Sequence, residues 1–591
     1  MKDFWKHVFA TITGILLIPA FFFALSLLLL LVGLIVGAGS RSVPDDSVLR
    51  IHLSGPMAER SVESTPLQTF MGATSDATQG LDDIKAAIRV AADNDHIKGI
   101  YLEAGELQAD FAQLEELRDA LAAFKKSKKF VVAYGDTYSQ SAYYIASIAD
   151  RVMLNPSGLL DWHGLASQPI FFTDLMKKVG VKAQVFKVGT FKSAVEPFIL
   201  TEMSDPNRQQ VTSFLTDIWG TLTKDVAASR RLSADSLNAY ADTYMMLSEA
   251  TQHKAKHMAD DIAYIDSVRV VLRQMAKADA VNIVEVEDVA PLDKTFSENG
   301  SDGTIAIYYA EGDIVDDADG LAMATGSQIV GSKVVSDLDK LMNDDDIKAV
   351  VLRINSGGGS AYASEQMWHA IQQLRAKKPV VVSMSGMAAS GGYYMSCGAN
   401  YIFADPTTLT GSIGIFALLP DASELLNEKL GLHFDIVKTN ASADFGAQGR
   451  AFNAAEADAL QQNVNRGYRL FLSRVAAGRH KTVEQIDAIG QGRVWTGRQA
   501  LKLGLVDRLG GLDDAVAYAA QLAKAKDYGV SRFPEPEPWY AALLDEPQTD
   551  DYIERKVQQT LGAYYEPLRV LRGLNKYNCV QARLPYAINV K

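Results

Sequence analysis

The sequence contains two degraded copies of one unit, and each has kept what the other has lost. Asp95-His-Ile-Lys-Gly-Ile-Tyr-Leu102 aligns with Asp345-Asp-Ile-Lys-Ala-Val-Val-Leu352 at a shift of 250. The same shift, without a gap, pairs Tyr143-Tyr144 with Tyr393-Tyr394 and Gly164 with Gly414. A repeat this long is too large for a solenoid unit and specifies a duplicated domain. Where the second copy has Asn355-Ser-Gly-Gly-Gly-Ser360, the first has Gly105-Glu-Leu-Gln-Ala-Asp110. Where the second has Ser390-Gly-Gly392, the first has Gln140-Ser-Ala142. Conversely, the first copy carries Gly189-Thr-Phe-Lys-Ser-Ala-Val-Glu-Pro197, whereas no lysine occurs between Lys438 and Lys481. One copy can supply a lysine and the other a serine.

Within each copy, short buried runs alternate with helical patterns. A strand is expected over Val48–Leu53 or Thr304–Tyr309, ending at Gly55 or Gly312. A second is expected over Ile97–Leu102 or Ile347–Ile354. An amphipathic helix then covers Phe111–Phe124 or Ala361–Leu374, followed by a strand at Phe130–Tyr134 or Val380–Met384. Strands alternating with helices imply right-handed crossovers and parallel sheets, so the fold class is α/β, twice over. A longer helical pattern in each copy ends at Val226-Ala-Ala-Ser-Arg230 and Val475-Ala-Ala-Gly-Arg479, now at a shift of 249.

From Val8 to Ser40 there is no Asp, Glu, Lys or Arg. That stretch covers the roughly 20 residues a helix needs to cross a bilayer, and it exceeds the apolar core of about 7 to 15 residues in a cleaved signal peptide. Lys2 and Lys6 precede it, and Asp45 and Asp46 follow Arg41. The charge bias places the amino terminus in the cytoplasm and the remainder outside. The expected division is therefore a cytoplasmic tip and transmembrane anchor (1–40), the lysine-bearing repeat (41–296), a linker (297–303), the serine-bearing repeat (304–533) and a tail (534–591). For that tail, docking onto a neighbouring copy or subunit is the expected use.

The net charge of −13, with no basic stripe, argues against a nucleic-acid partner. Two cysteines, Cys397 and Cys579, cannot make a disulfide framework or a four-ligand zinc site by themselves. Chemistry is better sought in the small-residue turns. Val350-Leu-Arg-Ile-Asn-Ser-Gly-Gly-Gly-Ser360 reads as a buried strand entering three glycines and then a helix. Such a backbone can point successive N–H groups at an anion. Ser390 follows a buried strand among residues too small to shield it. No Gly-x-Ser-x-Gly elbow occurs, and neither His163 nor His369 has a triad context. A lysine replaces histidine as base if burial lowers its pKa, because only the neutral amine accepts a proton. Lys192 stands between Thr190 and Ser193, whose hydroxyls are candidates to hydrogen-bond that amine.

These residues resemble a known family. Gly189-Thr-Phe-Lys-Ser-Ala-Val-Glu-Pro197, Asn355-Ser-Gly-Gly-Gly-Ser360, Met387-Ala-Ala-Ser-Gly-Gly-Tyr393, Thr408-Leu-Thr-Gly-Ser-Ile-Gly414 and Gly492-Arg-Val-Trp-Thr-Gly497 leading to Gly504-Leu-Val-Asp507 are similar, in order, to the motifs of signal peptide peptidase A, or protease IV, in its long duplicated form. The resemblance runs from the anchor to about Leu522. It implies tandem crotonase/Clp-protease-like domains and a membrane-bound serine protease without metal or organic cofactor. It also implies Ser390 as nucleophile, Lys192 as general base, Ser412 as the residue orienting Lys192, and Gly359 and Gly391 as oxyanion donors. Expected partners are signal peptides and other unfolded apolar peptides, a bilayer reached through the first helix, and further copies of the chain, commonly as a tetramer. The expected location is the cytoplasmic membrane, with the catalytic part on its outer side. One departure is Gly357, where the family usually has proline. Whether Lys192 meets the serine of its own chain or of a neighbour is open at this level. A crotonase-type acyl-CoA enzyme and a catalytically silent membrane scaffold are the alternatives.

Overall fold

The computed structural model describes residues 43–61, 79–295, 300–316, 327–535 and 581–583. The apolar stretch read as an anchor lies outside them. Among the described residues, no helix is long and apolar enough to cross a membrane.

Each copy folds around a parallel sheet. In the first, Ser47–Ala58, Ile97–Gln108, Phe130–Tyr138 and Arg151–Leu160 lie side by side in that order. In the second, Thr304–Glu311, Ile347–Ser356 and Val380–Ala389 repeat the arrangement, with Gly529–Phe533 on the outer edge of Thr304–Glu311. From Gly99 to Leu102 and from Ala349 to Ile354 these strands are buried on both faces, which is why they do not alternate, whereas Lys98 and Lys348 near their starts reach solvent. Gly55 does not end the first strand as expected. It sits at φ +77° in a register shift against Leu107, and pairing continues to Ala58.

The helices keep the repeat spacing. Leu81–Asp93 matches Gly331–Asn343, and Asp205–Arg230 matches Ala454–Gly478. Asp110 and Ser360, 250 residues apart, both cap the helices that follow, Phe111–Phe124 and Ala361–Lys377. The helix Phe111–Phe124 is not simply amphipathic, because Gln113, Glu115, Glu116 and Arg118 are buried as well. Its polar side takes part in the junction between the copies. There Arg353, itself buried, reaches Glu59 at 2.7 Å and Glu116 at 2.6 Å, and Lys85 also binds Glu116 at 2.5 Å. Glu115 accepts from Thr407 Oγ1 at 2.6 Å and from Thr407 N at 3.0 Å. Its burial raises the carboxyl to about 7.

A third sheet draws strands from both copies. Lys182–Val188 of the first pairs antiparallel with Ile415–Asp421 of the second, from Lys182 opposite Asp421 to Val188 opposite Ile415. This strand brings the lysine loop, which begins at Gly189, to the second copy.

Candidate active site

Ser390 stands where the strand Val380–Ala389 turns into the short helix Gly391–Ser396. Its backbone is at φ 54°, ψ −111°, a region that non-glycine residues rarely occupy. The turn is held by Ser390 N donating to Gly411 O at 2.8 Å and Tyr394 N donating to Ser390 O at 2.7 Å. A larger residue at 392 would not fit, since a Cβ there would lie 2.8 Å from Ser356 O. The small residues around Ser390 therefore let a strained turn pack on the neighbouring strand.

Lys192 arrives from the opposite copy and is fully buried. Its Nζ lies 2.8 Å from Ser390 Oγ, 3.1 Å from Ser412 Oγ and 3.2 Å from Ser412 O, all in the same chain. The ring of Phe416 lies 6.0 Å from the amine on another side. Burial alone pushes this amine well below the ordinary lysine range, and no carboxylate among the described residues pairs with it.

Two motif glycines leave space for this lysine. A Cβ on Gly492, at φ +78°, would come within 2.6–2.7 Å of Lys192 N, Cα and Cβ, and one on Gly414 would sit 3.2 Å from Lys192 Cδ. The loop is anchored by Phe191 N donating to Gln491 O at 2.8 Å and by Gln210, which donates to Phe191 O at 3.1 Å and accepts from Val494 N. Glu196 accepts from Ser204 Oγ and Asn207 Nδ2, tying the turn to the long helix behind it. The hydroxyl of Ser193 donates to Phe191 O rather than meeting the amine, and Thr190 is exposed. The hydroxyls beside the amine belong to Ser390 and Ser412. Gly492, Gly414 and Gln210 support the lysine; both glycines stand in the motifs Gly492–Gly497 and Thr408–Gly414, whereas Gln210 has no motif to mark it.

Ser412 has φ 50° and donates its N–H to Arg493 O at 2.7 Å. The strand before it, Leu409–Gly411, runs parallel to Met387–Ala389 and antiparallel to Val494–Thr496. Three separate motifs thus form one corner of the sheet. The triple glycine differs from expectation. Gly358–Ser360 is a short strand beside Asp313–Val315, and Ser360 caps the helix by accepting from Ala363 N. A Cβ on Gly359 would lie 2.0 Å from Ile314 O, so only glycine lets these strands approach. The helix Gly391–Ser396 packs against this strand. As the first helical residue, Gly391 has an N–H with no intrahelical acceptor.

The equivalent place in the first copy is filled. Gln140, in the position of Ser390, is buried; its amide donates to Gly164 O and accepts from the N–H groups of His163 and Gly164, each at 3.0 Å. Trp162, in the position of Ser412, is fully buried and donates to Leu237 O. At the positions where the second copy has the hydroxyls of Ser390 and Ser412, the first thus has a side chain bonded to backbone and an indole.

Comparison with known proteins finds one peptidase family in both copies. The model of peptidase family S49 matches residues 123–279 and 372–526, one segment in each copy, and the Clp protease model matches residues 322–408. The chain is 37% identical over 512 residues to Protease 4 of Salmonella typhi, covering 83% of this chain and 81% of that one. It is 33% identical over 522 residues to Protease 4 of Haemophilus influenzae, covering 85% and 84%. It is 31% identical over 438 residues to the chloroplastic serine protease SPPA of Arabidopsis thaliana, covering 73% and 64%.

Proposed function

The chain belongs to peptidase family S49, and from that premise we propose that this serine protease works through a Ser390/Lys192 dyad assembled from its two copies. The observation that carries the proposal is the 2.8 Å approach of a buried, carboxylate-free amine to a buried hydroxyl. In the resting state the neutral amine accepts the Ser390 proton as Oγ attacks the peptide carbonyl carbon. The resulting ammonium has three N–H groups, and Ser390 Oγ, Ser412 Oγ and Ser412 O surround it as acceptors. Ser412 thereby holds the ammonium until it protonates the departing amine. The N–H groups of Gly359 and Gly391 receive the oxyanion, and water then hydrolyses the acyl-enzyme. An acyl-CoA reading leaves the amine and the hydroxyl without a role.

The substrates proposed are short, unfolded, apolar peptides such as released signal peptides, cut at the outer face of the cytoplasmic membrane. The charge-free span Val8–Ser40 supports anchoring there. Association with further copies of the chain is supported by a surface on the second copy. Gly180-Val181 and Val185 of the first copy align with Gly431-Leu432 and Ile436 at a shift of 251. Lys182–Val188 finds its partner strand in the opposite copy, whereas the aligned segment leaves Leu432, Phe434, Ile436 and Val437 exposed, Val437 at 98%. Apolar side chains grouped in this way suit contact with another copy.

The test is peptide hydrolysis by folded Ser390→Ala and Lys192→Ala variants, with vesicle sedimentation of the full chain for the anchor. Loss of cleavage in both variants is expected. Cleavage at the parent rate in Lys192→Ala would refute the dyad.

A further inference from the structure

Arg493 lies where the lysine loop of the first copy meets the Ser412 corner of the second. Its carbonyl oxygen accepts the N–H of Ser412 at 2.7 Å. Its guanidinium lies over the ring of Phe191, the residue before Lys192, 4.8 Å from the ring centre, and over the ring of Trp495 at 4.2 Å. The backbone of Arg493 thus holds Ser412, which contacts the amine, and its side chain holds the residue next to Lys192.

Trp495 gives the stack a fixed base. It stands opposite Thr410 in the sheet, and its indole N–H donates to Ile489 O at 3.0 Å. Arg493 and Trp495 belong to the second copy and Phe191 to the first, so the stack crosses between the copies. No ion pair accounts for the guanidinium: among the described residues no carboxylate meets it, and its Nε is buried without an acceptor. A buried donor left unmade is costly, so the two rings are what hold the side chain there. A guanidinium suits this place because it is planar, weakly hydrated and attracted to aromatic faces.

The contact matters because of how the amine is kept neutral. Burial is the one cause that lowers Lys192. The ionisable side chains on the segments around it are engaged elsewhere: Glu196 with Ser204 and Asn207, Tyr468 with Asp487, and Arg493 with its two rings. A loop that lifted from the second copy would admit water to the amine and return it toward the ordinary 10.5.

We propose that Arg493 is a positioning residue that clamps the lysine loop to the serine-bearing copy through Phe191, keeping Lys192 dry and within reach of Ser390. This rests on the Ser390/Lys192 reading.

The experiment follows hydrolysis of a short apolar peptide across pH by the full chain and by its Arg493→Met, Arg493→Lys and Phe191→Leu variants, with the double variant Arg493→Met/Phe191→Leu. The rising limb of kcat/KM reports the base in the free enzyme. Arg493→Met and Phe191→Leu are each expected to move that limb to higher pH by about one unit, a roughly tenfold loss at any pH along it, with KM kept. Phe191→Leu changes no charge, so its shift cannot come from the loss of a neighbouring cation. The double variant should be no worse than either single one, because both remove the same contact. Arg493→Lys, which keeps the charge without the planar stack, should fall between parent and Arg493→Met. Thermal unfolding of each form shows that the fold persists, and Phe191→Leu and Arg493→Lys carry the test if Arg493→Met does not fold. A parent-like limb in the folded variants, or losses that multiply in the double variant, would overturn the clamp. A rising limb that persists in Lys192→Met would instead overturn the dyad, and the clamp with it.

Discussion

The Nζ of Lys192 lies 2.8 Å from the Oγ of Ser390, although 198 residues separate them in the chain and each belongs to a different copy. The two copies complement each other at this point. With Gln140 and Trp162 at the positions aligned with Ser390 and Ser412, the proposed nucleophile comes from the second copy. With no lysine between Lys438 and Lys481, the proposed base comes from the first.

The ionisation of this amine sets the pH dependence. Because its pKa is far below the ordinary 10.5, activity should rise as pH passes through the depressed value and then level off. Lys192→Ala should lower kcat/KM by about 10²–10⁴-fold, measured by initial rates across pH.

The same shift has a stability consequence. Between the depressed native pKa and 10.5 the unfolded chain binds the proton and the native chain does not, so the lysine's contribution becomes more favourable as pH rises. Lys192→Met should therefore be more stable than the parent at neutral pH. The difference should shrink toward pH 10.5, as read by thermal unfolding at several pH values.

Gly492→Ala tests how closely the lysine must be held. The added Cβ would meet the Lys192 backbone at 2.6–2.7 Å, in a conformation that alanine adopts reluctantly. Displacing the base by even an ångström should lower kcat by about a hundredfold. KM should change little, because the added Cβ meets the lysine loop. Steady-state kinetics separates the two.

Arg353→Met leaves the buried carboxylates of Glu59 and Glu116 without their shared guanidinium. Breaking a buried pair in this way costs about 3–5 kcal/mol. The expected result is an earlier denaturant midpoint.

Because both dyad members lie in one chain, mixing Ser390→Ala with Lys192→Ala subunits should recover no activity. Recovery on mixing would mean that neighbouring chains exchange the lysine loop.

Most of the fold was legible because duplication printed the same alternation of buried runs and helices twice. Lys192, Ser390 and Ser412 were legible because each stands in a short motif with its own local constraint. What sequence could not reveal depends on contacts between the copies. The polar side of Phe111–Phe124 looks solvated until Arg353 and Thr407 are brought to it. Ser193 looks like a partner for the amine until Phe191 and Gln210 claim its hydroxyl. The strand Gln581–Arg583 carries no motif, because strand pairing asks for backbone rather than particular side chains.

The most direct measurement of the central claim is the rate at which a fluorophosphonate modifies Ser390, followed across pH in the parent and in Lys192→Met. The parent should be modified along a single ionisation well below that of an ordinary lysine, and Lys192→Met should be modified very slowly at every pH. Modification of Lys192→Met at the parent rate with the same pH profile would contradict the account.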